Sequence, residues 1–104
     1  MKTNLKLSVL DGEYVVHRFS PESQIPVDVL KRNLISITRT NDELSIVCDA
    51  QLSFNSEKSE AGWACIKVLG PLDFGLTGIL ARIASVLAEA KISIFAISTY
   101  DTDY

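Results

Sequence analysis

The stretch 76–90, LTGILARIASVLAEA, has the pattern that leaves the fewest structural alternatives. Leu76, Ile79, Leu80, Ile83, Val86, Leu87 and Ala90 recur at spacings of three and four, which gathers them on one stripe of an α-helix and scatters them over both faces of a strand. Thr77, Arg82, Ser85 and Glu89 fall towards the other side. A helix with one apolar stripe buries it against another layer. Residues 63–69 read as a strand before it, 70–75 (GPLDFG) as a tight loop, and 92–100 as a strand apolar on both faces. The expected unit is strand, helix, strand, with the helix on a largely antiparallel sheet.

The first half carries strand and turn signals. Residues 5–19 read as two strands around Asp11-Gly12, because Asp-Gly supplies the positive φ angles of a tight hairpin turn. Pro21 and Pro26 break the next stretch, each lacking an amide donor and restricting the residue before it. A short helix over 27–32, opened by Pro26, follows. Residues 34–39 and 44–48 are rich in β-branched and apolar residues and are joined by Thr40-Asn41-Asp42-Glu43, a second hairpin pattern. The polar segment 51–62 (QLSFNSEKSEAG) reads as an exposed connection. The expected halves are therefore 1–60 and 61–104.

With 47% hydrophobic and 22% charged residues over 104 positions, the chain has ordinary globular usage and room for a core. Its net charge is −3, and its longest basic run is the pair Lys31-Arg32. That balance argues against a nucleic-acid partner. No apolar run reaches the ~18 residues of a membrane-spanning helix, and the N-terminus has no apolar segment leading to a small-residue cleavage site. The expectation is a cytoplasmic protein with no membrane partner.

Chemistry-bearing constellations are scarce. Cys48 and Cys65 lie in separate apolar runs, outside any CxxC pair and without a histidine at metal-ligand spacing; they read as buried free thiols, with a disulfide or a redox role as the alternative. His17, the single histidine, alternates with Val15 and Phe19 on an early strand, a structural placement rather than that of a catalytic base. No metal, cofactor or catalytic set is expected. The 70–75 loop lacks both phosphate-loop fingerprints. Two readings stay open for it: a turn with Asp73 as helix cap, or a loop whose free amides meet a ligand carboxylate. Asp101-Thr102-Asp103 suits a solvated turn, with cation binding or acid–base work as alternatives.

Three features occur together in the second half: GPLDFGLTGIL entering the helix, LAEAKISIFAIST entering the next strand, and the ending STYDTDY. In these the chain resembles the ACT-domain family, specifically its small stand-alone bacterial branch related to the cytosolic arginine sensors of animal cells. FSPESQIPVDVL and LISITRTNDELSIVC extend the resemblance over nearly the whole chain from Tyr14 onward. It implies an α+β, ferredoxin-like βαββαβ arrangement in two ACT-like halves, the second stopping short at Tyr104. In that family effectors, usually amino acids, bind between paired ACT units, at the loop after the first strand and the start of the second. Carried over by position, this nominates Leu72, Asp73, Phe74 and Gly75 with Thr99, Tyr100, Asp101 and Asp103 as ligand-binding residues. Lys91 departs from the branch, which commonly has glycine there; a left-handed conformation at Lys91 costs about 1 kcal/mol.

The functional expectation is a non-enzymatic regulatory module that binds an amino acid or similar metabolite and acts through a partner or a homo-oligomer. The alternative is a structural or oligomerisation module without ligand. An enzyme using Asp101 and Asp103 as acid and base is the remaining reading.

Overall fold

Strand β2 (Tyr14–Phe19) organises the first half of the chain because it is paired on both sides. The computed structural model describes residues 6–69 and 78–104. It divides into two units, Asp11–Cys65 and a second made of Met1–Leu10 with Ile66–Tyr104. The described residues form α+β structure with antiparallel sheets and one α-helix.

In the Asp11–Cys65 unit, β3 (Ser36–Arg39), β4 (Leu44–Asp49) and β5 (Lys58–Trp63) join β2 in the order β3-β4-β2-β5. Val15, His17 and Phe19 stand opposite Cys48, Ile46 and Leu44, and Ile37 stands opposite Ile46 on the other side. Paired residues share a face, so these side chains line one surface of the sheet. A short 3₁₀ helix, Val27–Lys31, covers it. Pro26 starts that turn with its φ preset at −59° and its carbonyl accepting from the Val29 amide. Val29, Leu44, Ile46 and Cys48 are fully buried, with Phe19, Ile35, Leu52 and Phe54 packed against them. The β3–β4 turn forms as expected: the Thr40 hydroxyl accepts from the amides of Asp42 and Glu43 at 3.1 and 3.2 Å, the local chemistry that favours threonine there.

The Arg32 guanidinium ties the end of the 3₁₀ turn to the end of β4. Its Nε and Nη2 donate to the two carboxylate oxygens of Asp49 at 2.8 and 2.6 Å. This hydrogen-bonded pairing holds the Asp49 carboxyl below its ordinary range. Cys48 and Cys65 are both free thiols, and burial pushes each above the ordinary thiol value.

Several sequence expectations need correction. Asp11-Gly12 turns the chain, with Gly12 at φ 81°, but it closes no hairpin. Strand β1 (Leu7–Val9) pairs instead with β6 (Ile66–Val68), Leu7 opposite Val68. A turn signal is local, whereas the choice of strand partner is not. The polar 51–62 segment is not wholly a connection, since its end enters β5. KSEAGW shows no alternation because five of its six residues are exposed at the sheet edge; backbone pairing with β2 makes it a strand. The expected strand 63–69 is split at Ala64-Cys65 between β5 and β6. Where β5 passes Tyr14 it carries one residue more than β2, and Gly62 at φ 84° supplies the left-handed conformation of that bulge.

Helix α1 (Ile79–Glu89) falls inside the expected 76–90; Leu76 and Thr77 lie outside the described residues. Its covered stripe is narrower than the periodicity suggests. Ile79 is buried and Ile83 and Leu87 are half-buried, but Leu80 and Val86 are exposed. The helix closes with Lys91 at φ 60°, its amide donating to the Ala88 carbonyl and the Ile92 amide to Leu87, both at 2.9 Å. This is a Schellman ending with lysine at the position glycine prefers. The expected strand 92–100 is absent: after Lys91 the chain runs irregularly to a bridge between Ser98 and Asp103.

His17 is 5% exposed, its Nδ1 lies 3.0 Å from the Ser56 hydroxyl, and its Nε2 is buried with no hydrogen-bond partner among the described residues. Burial lowers its pKa below 6.5, so the unfolded chain binds the proton more readily and stability falls as pH drops through that value. Chemical denaturation midpoints should therefore fall between about pH 7.5 and about pH 5.5, and fall less in His17→Phe. At the helix end, Lys91→Gly should raise stability by about 0.5–1 kcal/mol in urea titrations, by removing left-handed strain.

Candidate functional site

The nominated residues after the helix are gathered by a tight reversal. The Ile97 amide donates to the Tyr104 carbonyl at 3.0 Å and the Tyr104 amide to Ile97 at 2.8 Å. Inside that pair, the Thr99 amide and hydroxyl both donate to the Thr102 carbonyl, at 2.8 and 3.0 Å. The Thr99 hydroxyl also accepts from the Thr102 amide at 3.3 Å. One threonine thus satisfies the backbone of a turn whose tip is Tyr100-Asp101.

Thr102 anchors this turn. It is 6% exposed, and its hydroxyl donates to the Val68 carbonyl at the end of β6. The Val68 amide in turn donates to the Asp103 carbonyl at 2.9 Å. Lys67 Nζ lies 5.9 Å from the centre of the Tyr104 ring, within cation–π reach. The 102–104 segment therefore lies along β6 within the second unit.

Of the nominated residues, Thr99, Tyr100, Asp101 and Asp103 come together in this turn, while Leu72, Asp73, Phe74 and Gly75 lie outside the described residues. The four differ in availability. Tyr100 is 83% exposed and Asp101 is exposed at the tip. The Asp103 carboxylate accepts from the Ser98 hydroxyl at 2.7 Å, and Thr99 is committed to the turn itself. A ligand approaching the tip meets an aromatic ring and one carboxylate. Among the described residues no group of histidine, cysteine and carboxylate side chains could hold a metal ion, and no helix is long and apolar enough to cross a membrane.

Sequence reasoning passed over Thr102 as a contributor of structure. The signal was present in threonines three apart around a Tyr-Asp pair, the spacing at which one hydroxyl can bridge a turn. Thr102→Val keeps the shape but leaves the Val68 carbonyl without that donor. It should cost about 1–3 kcal/mol in denaturant titrations and speed hydrogen exchange at Val68 and Tyr104.

An ACT-domain model matches residues 58–104, and a model of an N-terminal domain matches residues 12–52. No curated protein matches the chain. The X-ray crystal structure of an Agrobacterium tumefaciens protein is similar at TM-score 0.86 and 39% identity, over 98% of this chain and 76% of that one. A Vibrio cholerae protein of unknown function, described as a possible transport protein, is similar in fold at TM-score 0.65 and 24% identity, over 95% of this chain and 74% of that one. The ACT match takes in the whole Thr99–Asp103 turn and the β6 residues that anchor it. The chain belongs to the same family as the Agrobacterium tumefaciens protein, and its residues 58–104 match the ACT-domain family.

Proposed function

We propose that this protein is a non-catalytic regulatory module that binds an amino acid or similar small metabolite and acts through a partner or a homo-oligomer. The observation that carries this reading is the position of the exposed Tyr100-Asp101 tip inside the ACT match, since ACT domains generally bind such molecules in regulation. In this reading the chain is a cytoplasmic relative of the arginine-sensor branch, with the βαββαβ plan in halves 1–60 and 61–104. The site combines the 72–75 loop with Thr99, Tyr100, Asp101 and Asp103. Backbone amides of the loop receive the ligand carboxylate, and Asp101 receives its ammonium or a cationic side chain through a charge-assisted hydrogen bond. Asp103 contributes charge while holding Ser98.

A second reading, an assembly module without ligand, is favoured by the exposed apolar residues Leu80, Val86, Ile92 and Ile94 of the second unit. Calorimetric titration of lysine, leucine and glutamate into wild type and Asp101→Asn separates the two. Regulatory binding predicts that lysine or leucine binds the wild type and that the variant loses about tenfold in affinity. Tightest binding to glutamate, or an unchanged variant, would contradict the site. Absence of binding by all three, extended to the remaining amino acids by thermal-shift screening, with a dimer or larger species in light scattering, would select the assembly module.

A further inference from the structure

We propose that a cleft on the Asp11–Cys65 unit is a separate binding site for a small zwitterion, using none of the residues of the Thr99–Asp103 turn. The cleft is open to solvent on one side and has a volume of about 530 Å³, within the range of small-ligand pockets. Three separated segments meet around it: 11–14 entering β2, 31–34 leaving the 3₁₀ turn, and 49–51 at the end of β4.

Its base is fastened before any ligand arrives. Arg32 donates to both Asp49 oxygens and, through Nη2, to the Gln51 side-chain oxygen at 3.1 Å. The Gln51 amide donates to Asp49 Oδ2 at 3.2 Å, and the Ala50 amide to the Glu13 carbonyl at 2.9 Å. Arg32 and Asp49 thus cancel each other's charge and tie 31–34 to 49–51, while the Ala50–Glu13 bond ties 49–51 to 11–14. Rigid, hydrogen-bonded walls of this kind reduce the ordering cost of binding.

The groups left for recognition stand at the rim. Lys31, Asp11 and Glu13 all line the cleft and are exposed. Among the described residues the ion pairs are Arg18 with Glu57 and Arg32 with Asp49, so these three rim charges are not spent on each other. Between them lies Gly12 at φ 81°, where an added Cβ would meet nothing within 4 Å. Its backbone therefore faces open space and can be approached closely. An ammonium suits Asp11 and Glu13, a carboxylate suits Lys31, and a molecule carrying both satisfies the rim at once. A monoanion or monocation alone engages only one side.

The test is an amide-resolved NMR titration of the full chain with glycine and with lysine, using acetate and methylamine as single-charge controls. The expected result is saturable shifts of the Gly12, Asn33 and Gln51 amides with a zwitterion and not with the controls. Lys31→Gln and Glu13→Gln each change an exposed rim residue, and each should weaken that titration about tenfold. Four results would overturn the proposal: no shifts at those amides up to about 10 mM, equal shifts with acetate or methylamine, a titration unchanged in both variants, or shifts confined to 99–103. The last of these would still support the amino-acid site at the turn, so the two readings fail separately.

Discussion

Leu44, Ile46 and Cys48 leave β4 on one face, and the elements of the first unit are placed by the need to cover them. The register of β2 sets Phe19, His17 and Val15 directly beside these residues, and β3 adds Ile37 on the other side. A slip of one residue in either pairing would turn every one of these side chains to the opposite face. Val29 then closes the layer from a 3₁₀ helix of only five residues, which suffices because a single fully buried side chain is all it must deliver. The Arg32–Asp49 pair follows from the same placement: once Val29 is seated, Arg32 at the end of the turn is brought to the end of β4.

Backbone groups carry more of the structure in the second unit. Its sheet has two short strands, and residues 97–104 add hydrogen bonds to the end of β6 without becoming a regular strand. Thr99 and Thr102 act as side chains that complete main-chain bonding. The polar character of STYDTDY is thus divided, with two hydroxyls turned inward to the backbone and the Tyr100-Asp101 tip left outward.

The sequence made local features legible and pairing much less so. The helix periodicity, the Thr40–Glu43 turn, the Pro26 start and the strain at Lys91 each depend on residues within one or two turns of chain, and each is found near its expected place. Strand β5 left no mark because an edge strand with exposed side chains has no apolar alternation to display. Residues 92–100 misled in the opposite direction. Isoleucine and phenylalanine at both parities satisfy the pattern of a buried strand, yet strand formation also needs a neighbour to accept hydrogen bonds. Within the candidate site, residue types at the turn were readable, but the division between exposed Asp101 and engaged Asp103 depends on Ser98 and could not be.

The bypassing of the Asp11-Gly12 hairpin has a consequence for how the chain assembles. Strand β1 waits for a partner nearly sixty residues away, Val9 pairing with Ile66, so closing that contact from an unfolded chain carries the entropy of a long loop. The intervening unit removes most of this. Once β2 and β5 have paired, Tyr14 lies beside Trp63, and only short tethers separate the two strands that remain to meet. On the logarithmic dependence of loop closure, that shortening lowers the cost by about 1.5–2 kcal/mol. The topology therefore favours an order in which residues 11–65 fold first and act as a clasp, and the β1–β6 sheet forms as a late, entropically assisted step.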